Sequence, residues 1–144
     1  MGATKENASA KENRVNTSPL YERLGGHAGI LRLLETFYID VRQHAVLGPI
    51  FEERIQDWPA HLANITEFWA RQTNGPSVYP GGFAGAHLSL GIGSGHLEAW
   101  LGLWEWNCRR HLPAAEAEEM VALAHRIGGQ LWRILTNRPG FQIG

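Results

Sequence analysis

Apolar residues recur three and four positions apart over most of this chain, and nowhere do they alternate convincingly with a period of two. The first long stripe is Ile30, Leu33, Leu34, Phe37, Tyr38 and Val41, which predicts an amphipathic helix over residues 27–43. Ahead of it, Ser18-Pro19 opens a short helix over 19–24 that stops at Gly25-Gly26. A connector with Leu47, Pro49, Ile50 and Phe51 follows, and Pro49 is expected to end any helix before it. Asp57 then serves as N-cap with Pro59 in the first turn, starting a helix marked by Trp58, His61, Leu62, Ile65, Phe68 and Trp69. It is expected to run to about Asn74-Gly75-Pro76, with His61, Ile65 and Phe68 on one face.

Two further helices are predicted downstream. Ser94 caps one, with Glu98 in its first turn and an inward stripe of Leu97, Trp100, Leu101, Trp104, Cys108 and Leu112. Pro113 begins the other, supported by Glu116, Glu118 and Glu119 near its positive end. Its stripe is Met120, Val121, Ala124, Ile127, Leu131, Ile134 and Leu135, and it stops at Asn137, Pro139 and Gly140. The expected fold class is all-α.

Composition narrows the picture. At 144 residues there is room for one domain, with 44% hydrophobic and 19% charged residues. We place it at 19–136, between a polar, disordered N-terminal tail at 1–18 and a C-terminal tail at 137–144. Thirteen Lys and Arg against fourteen Asp and Glu give a net charge of −1, without the basic face a nucleic-acid partner needs. One cysteine, Cys108, leaves no intramolecular disulfide and fits a reducing compartment. No apolar run has membrane-spanning length, and the N-terminus lacks a signal-peptide core, so the cytoplasm is the expected location. Six tryptophans suggest a core built around something bulky, although a Trp-rich core can also stand without a ligand.

One stretch does not fit the helical pattern. Six glycines fall within residues 81–95, where a helix interior would lose about 1 kcal/mol for each relative to Ala. Yet Phe83, Ala86, Leu88, Leu90 and Ile92 keep the stretch apolar, and His87 sits in its middle. A bendable, apolar segment with one imidazole suits backbone laid against a flat apolar group. The seven histidines form no zinc-type pattern, and there is no cysteine pair. What remains is His87 in the loop and His61 on a helix face, among Phe37, Tyr38, Phe51, Ile65, Phe68 and Trp100. Haem uses such surroundings: one imidazole nitrogen for iron, a backbone acceptor for the other, apolar walls and a few polar tips. By these features alone a lone histidine near a loop is more often a capping or surface residue than a ligand.

The order of short motifs is more specific. Tyr21-Glu-Arg-Leu-Gly-Gly26, Phe37-Tyr38, Pro49-Ile-Phe51, Asp57-Trp58-x-x-His61-Leu62, Phe68-Trp69, Tyr79-x-Gly81, Ala86-His87-Leu88 and His96-Leu-x-x-Trp100-Leu101 together resemble a truncated haemoglobin, most like group III. The resemblance covers about residues 19–135. It implies a two-over-two helical sandwich around haem b, with His87 as the proximal iron ligand. It further implies Tyr38 as a distal donor to dioxygen and Trp100 as a second donor from the side. His61 matches a gate at the pocket mouth, Phe51 an aromatic wedged on the haem, and Phe37, Ile65 and Phe68 pocket wall, with Tyr79 at the haem edge. Plain packing remains the alternative for Tyr38 and Trp100, and direct iron ligation for His61. Where the family often carries a proline, this chain has Phe83.

The implied function is binding of dioxygen, nitric oxide or other diatomic ligands at a penta-coordinate iron. Redox detoxification of nitric oxide or peroxide with an external reductase is favoured over bulk transport. The alternatives are an oxygen store or sensor without turnover, or a haem-free helical interaction module.

Overall fold

The computed structural model describes residues 18–83 and 92–137. Apart from Ser18 and Asn137, both expected tails lie outside the described residues, and so does His87 with the rest of 84–91. Six helices are present among the described residues, and no strand: α1 (Leu20–Arg23), α2 (Gly26–Gln43), α3 (Leu47–Arg54), α4 (Trp58–Gln72), α5 (Ser94–His111) and α6 (Ala114–Thr136). α2 packs on α4 and α5 packs on α6, with α2 also crossing α5, which gives the two-over-two arrangement.

The connector expected after residue 43 is a helix for most of its length. Pro49 is the third residue of α3, in the first turn, where its missing N–H would have had no intrahelical acceptor. His44 starts that helix by accepting the backbone N–H groups of Val46 and Leu47 at Nδ1, both at 3.1 Å. Three other helix starts also differ from expectation. Pro19 and Pro113 stand at the N-cap rather than one position inside, and Ser18 contributes its carbonyl to Arg23 Nε instead of capping. Ser94 is the first helical residue of α5, behind Gly93, and the Gly93 N–H donates back to His96 Nδ1 at 2.9 Å. Glu98 therefore lies past the first turn. Asp57 caps as expected, accepting from the Ala60 N–H at 3.1 Å.

The interior is aromatic. Trp69 of α4 and Trp104 of α5 stack with centroids 4.5 Å apart and planes 11° from parallel, and Phe37 of α2 meets Trp104 edge-on at 4.9 Å. The Trp104 indole N–H donates to the Met120 carbonyl at 3.1 Å, so this large side chain is buried without an unmet donor. Asn107, buried beside it, donates to Asp40 Oδ2 and to the Leu103 carbonyl, each at 2.9 Å. That polar tie between α2 and α5 has no counterpart in the apolar pattern. Cys108 is buried, and burial pushes its thiol up to about 12. Ile134, expected in the inward stripe of α6, is instead 48% exposed, although Leu131 and Leu135 on the same turns are buried. Trp106 is exposed as well, under the guanidinium of Arg110.

The short first helix is locked onto the rest by close backbone approach. A Cβ on Gly29 would lie 1.8 Å from the Leu24 carbonyl oxygen, so only glycine admits α1 at that point. Arg23 reaches across to α6 and pairs with Glu116 and Glu119.

Candidate functional site

Between the two helix pairs lies a cavity of about 310 Å³, within the range of ligand pockets. Five helices supply most of its walls. Tyr38 comes from α2, and Leu47, Ile50, Phe51 and Arg54 from α3. His61, Asn64, Ile65, Phe68 and Trp69 come from one face of α4, at the helical spacing that the sequence implied. α5 and α6 close the far side with His96, Leu97, Trp100, Ile127, Gly128 and Leu131.

Most of the sequence-derived site residues meet here. Tyr38, Phe51, His61, Ile65, Phe68, Tyr79 and Trp100 all line the cavity. Phe37 does not; it is fully buried one layer behind, against Tyr38 at 5.0 Å and Trp100 at 5.8 Å. His87 lies outside the described residues. The described residues on either side of its segment, Phe83 and Ile92, both line the cavity. Phe83 stacks on Phe68 at 4.7 Å and 14°, and Tyr79 meets Phe68 edge-on at 5.3 Å.

Two lining donors have a particular chemistry. No hydrogen bond to another described residue engages Tyr38 Oη or Trp100 Nε1. Burial raises the Tyr38 phenol well above its usual range, so it stays a neutral donor at any physiological pH. Tyr79 is raised in the same direction by partial burial, opposed by Arg71. Around Tyr38 the rings of Phe51, Trp58 and His61 stand at 5.7, 5.6 and 5.4 Å.

The rim is polar. Arg54 and Asn64 are the exposed members of the described lining, and Arg54 is its one Arg or Lys side chain. Sequence reasoning missed Arg54, because cations are spread evenly along the chain and only the turn of α3 brings this one to the cavity. It also missed Ile127 and Leu131 as lining, although both were expected on the inward stripe of α6. Gly128 between them leaves room that a Cβ would take from Leu97, 3.3 Å away.

Beneath the cavity, the loop after α4 is tied down. Glu67 accepts the Val78 N–H at 3.0 Å and pairs with His27 Nε2 at 2.9 Å, and these bonds, the Val78 one first, hold its carboxyl below the usual range. His27 also contacts the Tyr21 hydroxyl. This fastens the chain that leads to Tyr79. Among the described residues no group of histidine, cysteine and carboxylate side chains could hold a bare metal ion.

An apolar slot with flat aromatic walls, neutral donors inside and a cation at the rim suits a planar, largely apolar group with an anionic edge. Haem has this shape and charge. The family model for bacterial-like globins matches residues 19–130, and the chain belongs to that family. Haem b is the cofactor that its truncated haemoglobin members carry. The group 3 truncated hemoglobin ctb of Campylobacter jejuni is 38% identical over 81 residues, which are 53% of this chain and 64% of that protein. The chain thus matches less than two thirds of that relative's length. The crystal structure of a group III truncated hemoglobin from Campylobacter jejuni superposes with a TM-score of 0.72 at 30% identity, covering 76% of this chain and 91% of that one. The group II truncated hemoglobin of Bacillus anthracis shares the fold, with a TM-score of 0.70 at 23% identity over 79% of this chain and 90% of its own.

Proposed function

We propose that this protein binds haem b through His87, keeps the iron penta-coordinate, and holds dioxygen or nitric oxide for redox chemistry rather than for transport. The observation that carries the reading is the pair of donors, Tyr38 and Trp100, both on the cavity wall and both without another described hydrogen-bond partner. Haem, when bound, supplies an iron with one open coordination position, at which a diatomic ligand acquires partial negative charge.

The chain's own residues act on that charge. Tyr38 donates its phenol proton from α2 and Trp100 its indole N–H from α5. Apolar lining from Ile65, Phe68 and Leu131 excludes water, so each charge-assisted bond is worth about 2 kcal/mol. Two such bonds acting independently would slow dioxygen release by roughly a thousandfold, which is the upper bound. A site that retains dioxygen this well is poor at delivery and suited to presenting it to nitric oxide, or to handling peroxide, with electrons from an external reductase. Phe51, Phe68 and Tyr79, all on the cavity wall, would hold the haem, and Phe37 backs Tyr38 and Trp100 from behind. Arg54, exposed on the cavity lining, would pair with an anionic group of the haem. A cytoplasmic location fits the single buried thiol.

The test has two stages. Purified protein shows a Soret band that His87→Ala loses, and ferrous protein with a reductase consumes nitric oxide in the presence of dioxygen. A normal Soret band without nitric oxide or peroxide turnover would favour an oxygen store or sensor. No Soret band on reconstitution with haemin would leave a helical interaction module.

A further inference from the structure

His61 lines the cavity, whose exposed lining residues, Arg54 and Asn64, come from α3 and from α4. Its ring is held between two aromatic neighbours, Tyr38 at 5.4 Å and 83° and Trp58 at 5.6 Å and 87°. Trp58 and Tyr38 also touch each other, at 5.6 Å. Trp58 does not line the cavity; it lies one turn before His61 on α4. Its indole N–H is buried with no acceptor among the described residues, so packing rather than a hydrogen bond fixes its position. One face of its ring carries the Arg42 guanidinium, 4.4 Å from the ring centroid. Arg42 Nε in turn donates to Glu52 Oε1 of α3 at 2.6 Å.

We propose that Trp58, braced by the Arg42–Glu52 pair, is a positioning residue that keeps the His61 ring inside the cavity and thereby sets how fast small ligands enter. The His61 ring cannot turn outward without leaving both edge-to-face contacts, and Trp58 cannot yield without shedding a cation from its face. Tyr38 is anchored in the core, so Trp58 is the side of the clamp that can move. Arg42 sits one turn past Tyr38 on α2, which puts the donor and the brace of the clamp on one helix face. The ligand class is a small diatomic molecule, and the proposal rests on the haem reading above.

The experiment follows carbon monoxide association with the ferrous holoprotein by flash photolysis. Removing the Trp58 ring contact on His61 in Trp58→Ala is expected to speed association about two- to tenfold. Trp58→Phe, which keeps a ring, is expected to stay near wild type and also covers the case in which the alanine variant does not fold. In a His61→Ala background, Trp58→Ala is expected to add nothing, because the ring it holds is gone. A haem-independent readout is carbethoxylation of His61 by diethylpyrocarbonate, mapped by mass spectrometry, which is expected to quicken in Trp58→Ala and not in Trp58→Phe. Equal acceleration with and without His61, or unchanged association alongside unchanged His61 modification, overturns the latch while a normal Soret band leaves the haem reading intact. A wild-type protein without a Soret band overturns both.

Discussion

Replacing Tyr38 by phenylalanine isolates one oxygen atom. The ring keeps its contacts with Phe37, Phe51, Trp58 and His61, while the hydroxyl, which bonds no other described residue, is removed. If Tyr38 donates to bound dioxygen, the lost charge-assisted bond of about 2 kcal/mol raises the dioxygen dissociation rate about thirtyfold. Carbon monoxide carries little charge when bound, so its dissociation is expected to change less than threefold. The Tyr38→Phe, Trp100→Phe double variant is expected to fall short of the product of the single effects, because Phe37 touches both rings and couples their positions. Folding is a control: deleting a buried hydroxyl that has no described partner leaves the urea midpoint of the haem-free chain unchanged or slightly higher. The assay is stopped-flow displacement of dioxygen by carbon monoxide, with ferrous protein at fixed temperature. A dissociation rate that does not move, or one that moves equally for both gases, refutes the donor role and with it the case against oxygen delivery.

Other outcomes test the surroundings. Arg54→Gln is expected to speed haem loss to an apomyoglobin acceptor about fivefold, in line with about 1 kcal/mol for an exposed ion pair, and to have no effect on haem dimethyl ester, whose propionates are uncharged. Gly29→Ala places a Cβ 1.8 Å from the Leu24 carbonyl oxygen, so it is expected to lower the thermal midpoint markedly, by several kcal/mol of stability, without altering any cavity residue. Glu67 titrates below its usual range in the folded protein, so its contribution is present above the unfolded carboxylate pKa of about 4.3 and is lost as pH falls through the lower folded value. The stability gap between wild type and Glu67→Gln, followed by urea midpoints from pH 7 to pH 3, is therefore expected to narrow in acid.

Periodicity alone settled the helices that bury a continuous stripe. The faces of α2, α4 and α6 could be read because side chains three and four apart must share a side, whatever they pack against. The same geometry placed His61, Ile65 and Phe68 together. The motif order supplied the family, and hence haem, which no spacing argument could reach. What the sequence left undecided depends on contacts between segments far apart in the chain. Pro49 read as a stop because a proline's effect depends on its position in a helix, and only His44 capping fixed that position. Asn107 carried no apolar signal, since its burial is set by Asp40 on another helix. Arg54 is one cation among many until α3 turns it to the rim. Trp58 shared an apolar stripe with the pocket residues, yet it stands outside the pocket with Arg42 on its face, a distinction that exists only once α2, α3 and α4 are packed together. Local spacing is a property of one helix. Which side of a wall a residue occupies, and what braces it, is a property of three.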